Sequence, residues 1–168
     1  MLNPVLSDLS LTMEQVKNIE HELNKHSSNK EMLVLLVENS GQIIATNGKN
    51  TRNYDLSSIA ALSVAAYEST KALSNVMGQE FKYIFNQGTT SNLFIMRATE
   101  QTFLVIDYDK SITLEEVQKV VKAFSEELNK LSATWTVVNK NSDSHEGKPL
   151  SKEGLNNQVD DMFNNLNL

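Results

Sequence analysis

The chain has 168 residues, enough for one domain with a substantial core, and 40% of them are hydrophobic. Its net charge of −6, without any cluster of Lys and Arg, argues against nucleic-acid and anionic-membrane partners. Because the chain has no cysteine, disulfides, thiolate metal sites and thiol nucleophiles are excluded. The longest apolar run is too short to span a membrane, and residues 1–11 lack the pattern of a signal peptide, so we expect a cytoplasmic location.

The first elements predicted along the chain are a helix and a hairpin. Thr12-Met-Glu-Gln15 reads as a capping box, and apolar residues then recur at helical spacing to about His26. The unbroken apolar run Met32–Val37 predicts a strand that is buried on both faces. A turn at Asn39-Ser-Gly41 leads into a second strand, Gln42–Thr46.

The longest predicted helix begins at Asp55 and ends near Met77, with Gly78 where a left-handed cap belongs. It is rich in Ala and Ser, and its apolar positions fall on two neighbouring faces. The first face carries the larger side chains, and the second, which we call the small-residue face, is made mostly of small ones. The first comprises Ile59, Leu62, Ala66, Leu73 and Val76, and the small-residue face comprises Ala61, Val64, Ala65, Glu68 and Ala72.

Three strands and a helix follow. Aromatic residues alternate over Phe81–Phe85, and Leu93–Met96 with Thr102–Ile106 predicts a second hairpin. Thr113-Leu-Glu-Glu116 is another capping box, and the helix behind it ends near Leu131. The order α-β-β-α-β-β-β-α predicts an α/β (α+β) fold, with a five-stranded antiparallel sheet between helices.

The C-terminal part differs in composition. The polar residues 132–150 predict a flexible linker, in which Trp135–Val138 forms either a short strand or a clasp on the core. Residues 151–168 predict an amphipathic helix that is too short and too rich in Asn to be stable alone. We therefore expect it to order against a partner or a second protomer, the alternative being permanent docking on its own domain. Its apolar side comprises Leu155, Val159, Met162, Phe163 and Leu166.

This order of elements resembles the Roadblock/LC7 family over residues 12–131. Three stretches carry the resemblance: Leu33–Asn47, Tyr54–Leu62, and Leu104–Asp109 with its following capped helix. The polar linker and the last helix are similar to the bacterial MglB-type branch. The resemblance implies a homodimer in which strands join and the long helices lie side by side. It also implies a partner, the GTP-bound form of a Ras-like, MglA-type small GTPase.

The resemblance further implies a GTPase-activating protein that reorders the switch region of its partner and has no catalytic residue or cofactor of its own. Its implied GTPase-binding surface is the small-residue face. An arginine finger would accelerate hydrolysis by about 10³–10⁵. Of the two arginines, Arg52 is better placed for that role than Arg97, although the MglB-type branch needs no finger.

The other chemistry-bearing residues favour ordinary roles. His21, His26 and His145 lack a metal-like spacing with carboxylates, and Asp107 and Asp109 favour a turn over a cation site. Two further functions stay open. One is a non-catalytic scaffold or adaptor of the same fold, and the other is a small-molecule sensor similar to PAS and GAF modules. The apolar residues predicted between sheet and helix offer a ligand few orienting groups.

Overall fold

A computed structural model describes residues 9–27, 31–48 and 52–137. The predicted order of helices and strands is confirmed, and a short strand is added at each end. The elements are β1 (Leu9–Ser10), α1 (Met13–His26), β2 (Met32–Glu38), β3 (Ile43–Asn47), α2 (Leu56–Met77), β4 (Tyr83–Gln87), β5 (Ser91–Arg97), β6 (Thr102–Asp109), α3 (Leu114–Ser132) and β7 (Thr136–Val137).

Five strands form one antiparallel sheet in the order β3-β2-β6-β5-β4. The strand β2 lies inside it, paired with β3 on one side and with β6 on the other, from Met32 opposite Tyr108 to Glu38 opposite Thr102. Every residue of β2 is buried, as its unbroken apolar sequence predicts. The strands β3 and β4 are the two edges.

Successive residues of the central strands point to opposite faces of the sheet and build two cores. On one face, α1 and α3 cover β2 and β6, with Ile19 and Phe124 among the fully buried side chains. On the other face, α2 packs on a smaller core. That core is formed by Leu33, Leu35, Val37, Ala60, Val64, Ile95, Phe103 and Val105.

Both predicted capping boxes are confirmed. In the first, the Thr12 hydroxyl accepts from the Gln15 backbone N–H at 3.2 Å, and the Gln15 side chain accepts from the Thr12 N–H at 2.8 Å. Thr113 and Glu116 repeat the arrangement at 3.3 Å and 2.8 Å. Within the described residues, no helix is long and apolar enough to cross a membrane.

The two ends of the described chain meet in a two-stranded ribbon. Of the two alternatives for Trp135–Val138, the short strand is observed at Thr136–Val137, whereas its pairing with Leu9–Ser10 is not predicted by the sequence. Leu9 lies opposite Val137, and the buried Glu38 accepts a hydrogen bond from the Leu9 N–H at 2.8 Å. The predicted linker, residues 132–150, thus begins with Ser132, the last residue of α3, and includes the strand β7. Residues 138–150, and the helix predicted over 151–168, lie outside the described residues.

Candidate interaction surface

The helix α2 is fixed at both ends by local hydrogen bonds. The Asp55 carboxylate accepts from the Ser58 N–H at 3.2 Å and from the Ser58 hydroxyl at 2.6 Å. These bonds to Ser58 hold the pKa of Asp55 below its usual value. Gly78 ends the helix in the left-handed conformation, with φ 64°. The 22 residues between these caps span about 33 Å.

The buried positions on the inner side of α2 carry small residues. Ala60, Ser63 and Val64 are buried against the sheet. The Tyr67 ring extends the contact and meets the Phe103 ring edge-on, with centroids 5.1 Å apart. Small side chains let the helix approach the sheet closely, which leaves the rest of its circumference outside the core.

Four of the five residues predicted for the small-residue face lie on the surface. Ala61, Ala65, Glu68 and Ala72 are exposed along one side of α2 at helical spacing. Val64 differs, because only 9% of it is exposed and it packs in the core with the sheet. The exposed part of the small-residue face is therefore a flat strip of three alanines and one carboxylate.

Beside this strip runs a second one, with three larger apolar side chains and one alanine, which we call the apolar stripe: Leu62, Ala66, Leu73 and Val76. Leu62 is 69% exposed, Leu73 is 52% exposed and Val76 is 86% exposed. Single exposed apolar residues are common, but several on one side of one helix mark a surface that binds protein. The apolar stripe is thus a candidate contact surface in its own right.

A network around Arg97 holds the only charged member of the small-residue face. The Arg97 guanidinium pairs with Glu68 and lies 4.5 Å from the ring centroid of Phe103. It also donates to the Glu100 carbonyl oxygen at 2.8 Å and to the Asn39 side chain at 3.4 Å. Arg97 therefore ties α2 to the turns at one end of the sheet. Glu68 and Arg97 are far apart in sequence, so no local pattern pointed to this pair.

Arg52 is engaged within its own chain. Its guanidinium donates to the Asp107 carboxylate at 2.9 Å and lies 4.0 Å from Asp109. The Asp109 carboxylate accepts from the Ser111 N–H at 2.9 Å. Hydrogen bonds from Ser111, with a smaller contribution from Arg52, hold the pKa of Asp109 below its usual value. The two aspartates thus anchor a loop and a turn.

The edge strand β4 presents a further apolar surface. Among the described strands its one neighbour is β5, so its outer edge faces away from the other described strands. Tyr83 and Phe85 point to the face that α1 and α3 cover elsewhere, and both are exposed. The Tyr83 ring stacks on Phe94 with centroids 5.0 Å apart. An apolar edge strand of this kind is a template for pairing with another chain.

Beneath the first turns of α2 lies a cavity of about 280 Å³. Its apolar lining comes from the sheet, from the loop before α2 and from the first turn of α2. The other lining residues come from the end of β4, the β4–β5 turn, the start of β5 and the end of β6. The apolar residues are Leu33, Leu35, Tyr54, Ile59, Leu93 and Val105, and the others are Asn86, Gln87, Gly88, Ser91 and Asp107.

The surface is suited to binding protein. In the described part of the chain, no group of three or more His, Asp or Glu is placed to hold a metal ion. The helix α2 offers a flat strip and an apolar stripe, and β4 offers an edge that pairs with no described strand. The apolar side of the helix predicted over 151–168 lies outside the described residues, so the contact assigned to it stays a prediction.

Comparison with known families gives the class of protein. Residues 32–107 match the Roadblock/LC7 domain model, so the chain carries a Roadblock/LC7 domain. The matched stretch runs from the start of β2 into β6 and includes all of α2, the cavity and Arg97. Domains of this family are regulatory or adaptor modules. No curated protein matches the chain.

Solved structures with this fold include two MglB proteins and a further Roadblock/LC7 domain. The chain is similar to MglB from Myxococcus xanthus, with 27% identity and a TM-score of 0.62 over 73% of this chain and 98% of that one. Gliding protein MglB from Thermus thermophilus shares the fold, with 23% identity and a TM-score of 0.63 over 77% and 98% of the two chains. A Roadblock/LC7 domain from Streptomyces avermitilis does too, with 13% identity and a TM-score of 0.58 over 69% and 96%.

Proposed function

We propose that this chain is a homodimeric regulator of a Ras-like, MglA-type small GTPase, and that it stimulates GTP hydrolysis by that partner in the cytoplasm. The observation that carries the proposal is the exposed part of the small-residue face on α2, within a Roadblock/LC7 domain that is 27% identical to Myxococcus xanthus MglB. The chain supplies a binding surface, and the reacting groups belong to the GTPase.

The apolar surfaces of α2 and β4 support a homodimer with two-fold symmetry. Two β4 edges that pair antiparallel would extend both sheets into one and bring two α2 helices side by side in opposite directions. Ser69 lies seven residues after Leu62 and seven before Val76. Helices that cross at Ser69 would therefore set Leu62 of one copy against Val76 of the other. The apolar stripe would be covered along its length.

The small-residue face would remain outside after this pairing, as the platform for the GTPase. Small side chains let a partner approach the helix backbone closely, and the Glu68–Arg97 pair adds one fixed polar contact. The surface would bind the GTP state preferentially, because switch segments of such GTPases are ordered only there. Ordering them would preorganise the partner's own catalytic groups.

The ion pair between Arg52 and Asp107 argues against an arginine finger. Arg52 would have to leave two carboxylates to reach a nucleotide, and the loop it anchors would lose that support. A finger contributes about 10³–10⁵ in rate. Arg52→Ala should therefore leave most of the acceleration in place if the partner's own groups do the chemistry.

Single-turnover GTP hydrolysis by the MglA-type GTPase of the same organism tests the proposal. The full-length chain should accelerate hydrolysis, and Ala65→Arg should abolish acceleration and binding by placing a long cation on the platform. Ala133→Arg, an exposed position at the end of α3, is the matched control and should behave as the unmodified chain. Dimerisation of Ala65→Arg, followed by sedimentation, would show that the chain still assembles.

Each outcome separates the candidate functions. Binding to the GTP state without acceleration would make the chain a scaffold or adaptor. Unchanged acceleration by Ala65→Arg would refute the assigned surface. A chain that ends after Val137 keeps the β1–β7 pairing and lacks the predicted C-terminal helix. Comparing it with the full chain would measure what that helix contributes.

A further inference from the structure

The floor of the cavity under α2 changes from apolar to partly polar between two neighbouring rows of the sheet. In one row, Leu35 of β2 lies opposite Val105 of β6, and both are buried. Residues that lie opposite each other in a sheet point to the same face. The Asp107 carboxylate therefore stands in the floor between two leucines of the next row. That row reads, from β2 to β4, Leu33, Asp107, Leu93 and Asn86.

Asp107 engages one of its two carboxylate oxygens within the described part of the chain. Its Oδ2 accepts from the Arg52 guanidinium at 2.9 Å, and no described group donates to Oδ1. Only 14% of the Asp107 side chain is exposed. A carboxylate oxygen that is largely shielded from water is stabilised by a hydrogen-bond donor. The floor thus offers an acceptor to a ligand that fills the cavity.

The charges at this end of the sheet favour a cation. Arg52 contacts two carboxylates, Asp107 at 2.9 Å and Asp109 at 4.0 Å, so one positive charge is shared by two negative ones. The exposed Glu31 and Lys110 beside them are opposite in charge and leave this balance unchanged. One negative charge is therefore left in excess. It attracts a cationic ligand and repels an anionic one.

We propose that this cavity binds a small amine, with its apolar body against Leu35 and Val105 and its ammonium group on Asp107 Oδ1. An ammonium group has three donors, and Asn86 and Ser91 line the same cavity with further acceptors. A cavity of about 150 Å³ holds benzene, so about 280 Å³ accommodates an aromatic ring with a short aminoalkyl chain. None of the lining residues belongs to the small-residue face or to the apolar stripe. The inference therefore stands apart from the homodimer and from the GTPase proposed above.

Titration of the isotope-labelled full-length chain, followed through its backbone amide shifts, tests the inference with three probes of similar apolar body. 2-Phenylethylamine should bind saturably with a Kd below about 1 mM, and the shifts should be largest at Leu33, Leu93 and Val105. 2-Phenylethanol carries no charge and should bind at least about fivefold more weakly, because a hydrogen bond to a charged group is the stronger one. The anion 3-phenylpropionate should bind more weakly than either.

Two variants separate the ammonium contact from the general charge of this region. Asp107→Asn keeps the size of the side chain and should weaken amine binding at least about tenfold, whereas the affinity for 2-phenylethanol should change less than about twofold. Asp109→Asn is the matched control, because Asp109 also contacts Arg52 but does not line the cavity. It should change amine binding by less than about threefold.

The unmodified chain alone can overturn the inference. An absence of saturable shifts with 2-phenylethylamine would do so, and so would equal affinity for the amine and the anion. Equal losses in Asp107→Asn and Asp109→Asn would refute the assigned contact. Leu93→Trp fills the cavity and should abolish binding of both the amine and the alcohol, with urea denaturation showing that the variant is folded. Retained binding in the folded variant would place the ligand outside the cavity.

Discussion

The buried carboxylate of Glu38 should hold the two ends of the domain together. Only 2% of Glu38 is exposed, and it accepts from the Leu9 N–H and from the Ser40 hydroxyl, both at 2.8 Å. Replacement by Ala removes both bonds. A hydrogen bond to a charged group contributes about 1.5–3 kcal/mol. Ser40 is partly exposed and can donate to water when Glu38 is absent, so the loss of stability comes mainly from the Leu9 N–H. We expect Glu38→Ala to lower the free energy of unfolding by about 2–3 kcal/mol.

Urea denaturation of the full-length chain measures this loss, and amide hydrogen exchange localises it. Protection should fall most at the backbone amides of β1 and β7, and much less in β6. Glu80→Ala removes an exposed glutamate and should change stability by less than about 0.5 kcal/mol. A change as small as this in Glu38→Ala, or unchanged protection in β7, would refute the role of Glu38.

Two further predictions concern a pair of glycines, Gly48 and Gly78, and the helix-capping residue Glu116. Gly48 has φ 95°, and a Cβ there would overlap a carbonyl oxygen of β2, so Gly48→Ala should cost about 2–5 kcal/mol in urea denaturation. Gly78→Ala, with φ 64° and open space, should cost only about 1–2 kcal/mol; equal losses would refute the steric argument. The backbone and hydroxyl hydrogen bonds of Thr113 lower the pKa of Glu116. Its contribution to stability is therefore present above the unfolded pKa, about 4.3, and is lost as the pH falls through the lower folded pKa. Glu116→Gln should flatten the acid limb of a plot of stability against pH, and an unchanged limb would contradict the assignment.

The strands and helix ends could be predicted because their signals are local. The unbroken apolar run of β2 requires cover on both faces, and the structure supplies it with α1 and α3 on one side and α2 on the other. Each capping box is a motif of four consecutive residues, and it predicts the residue at which its helix begins. Contacts between distant segments carry no such signal. The pairing of Leu9 with Val137 and of Glu68 with Arg97 depends on the completed fold.

The orientation of α2 shows where hydrophobicity misleads. Leu62 and Val76 of α2 are apolar and larger than serine, yet both are exposed, whereas Ser63 and Ser74 of the same helix are buried. Close packing against the sheet selects small side chains on the inner side of this helix. A residue pattern cannot distinguish burial in its own core from burial against another molecule. For that reason the sequence groups Val64 with its exposed neighbours, although it lies in the core.

One helix thus presents two adjacent surfaces of different chemistry, and their adjacency has a consequence for regulation. Successive residues of a helix are separated by about 100°, so the apolar stripe and the small-residue face border each other along α2. If two copies join through the stripe, their small-residue faces come to lie side by side and form one continuous platform. A monomer would offer half of that platform and expose the stripe beside it. Under the proposed function, recognition of the GTPase would then depend on assembly of the dimer, and the β4 edge that completes the sheet would also complete the binding site.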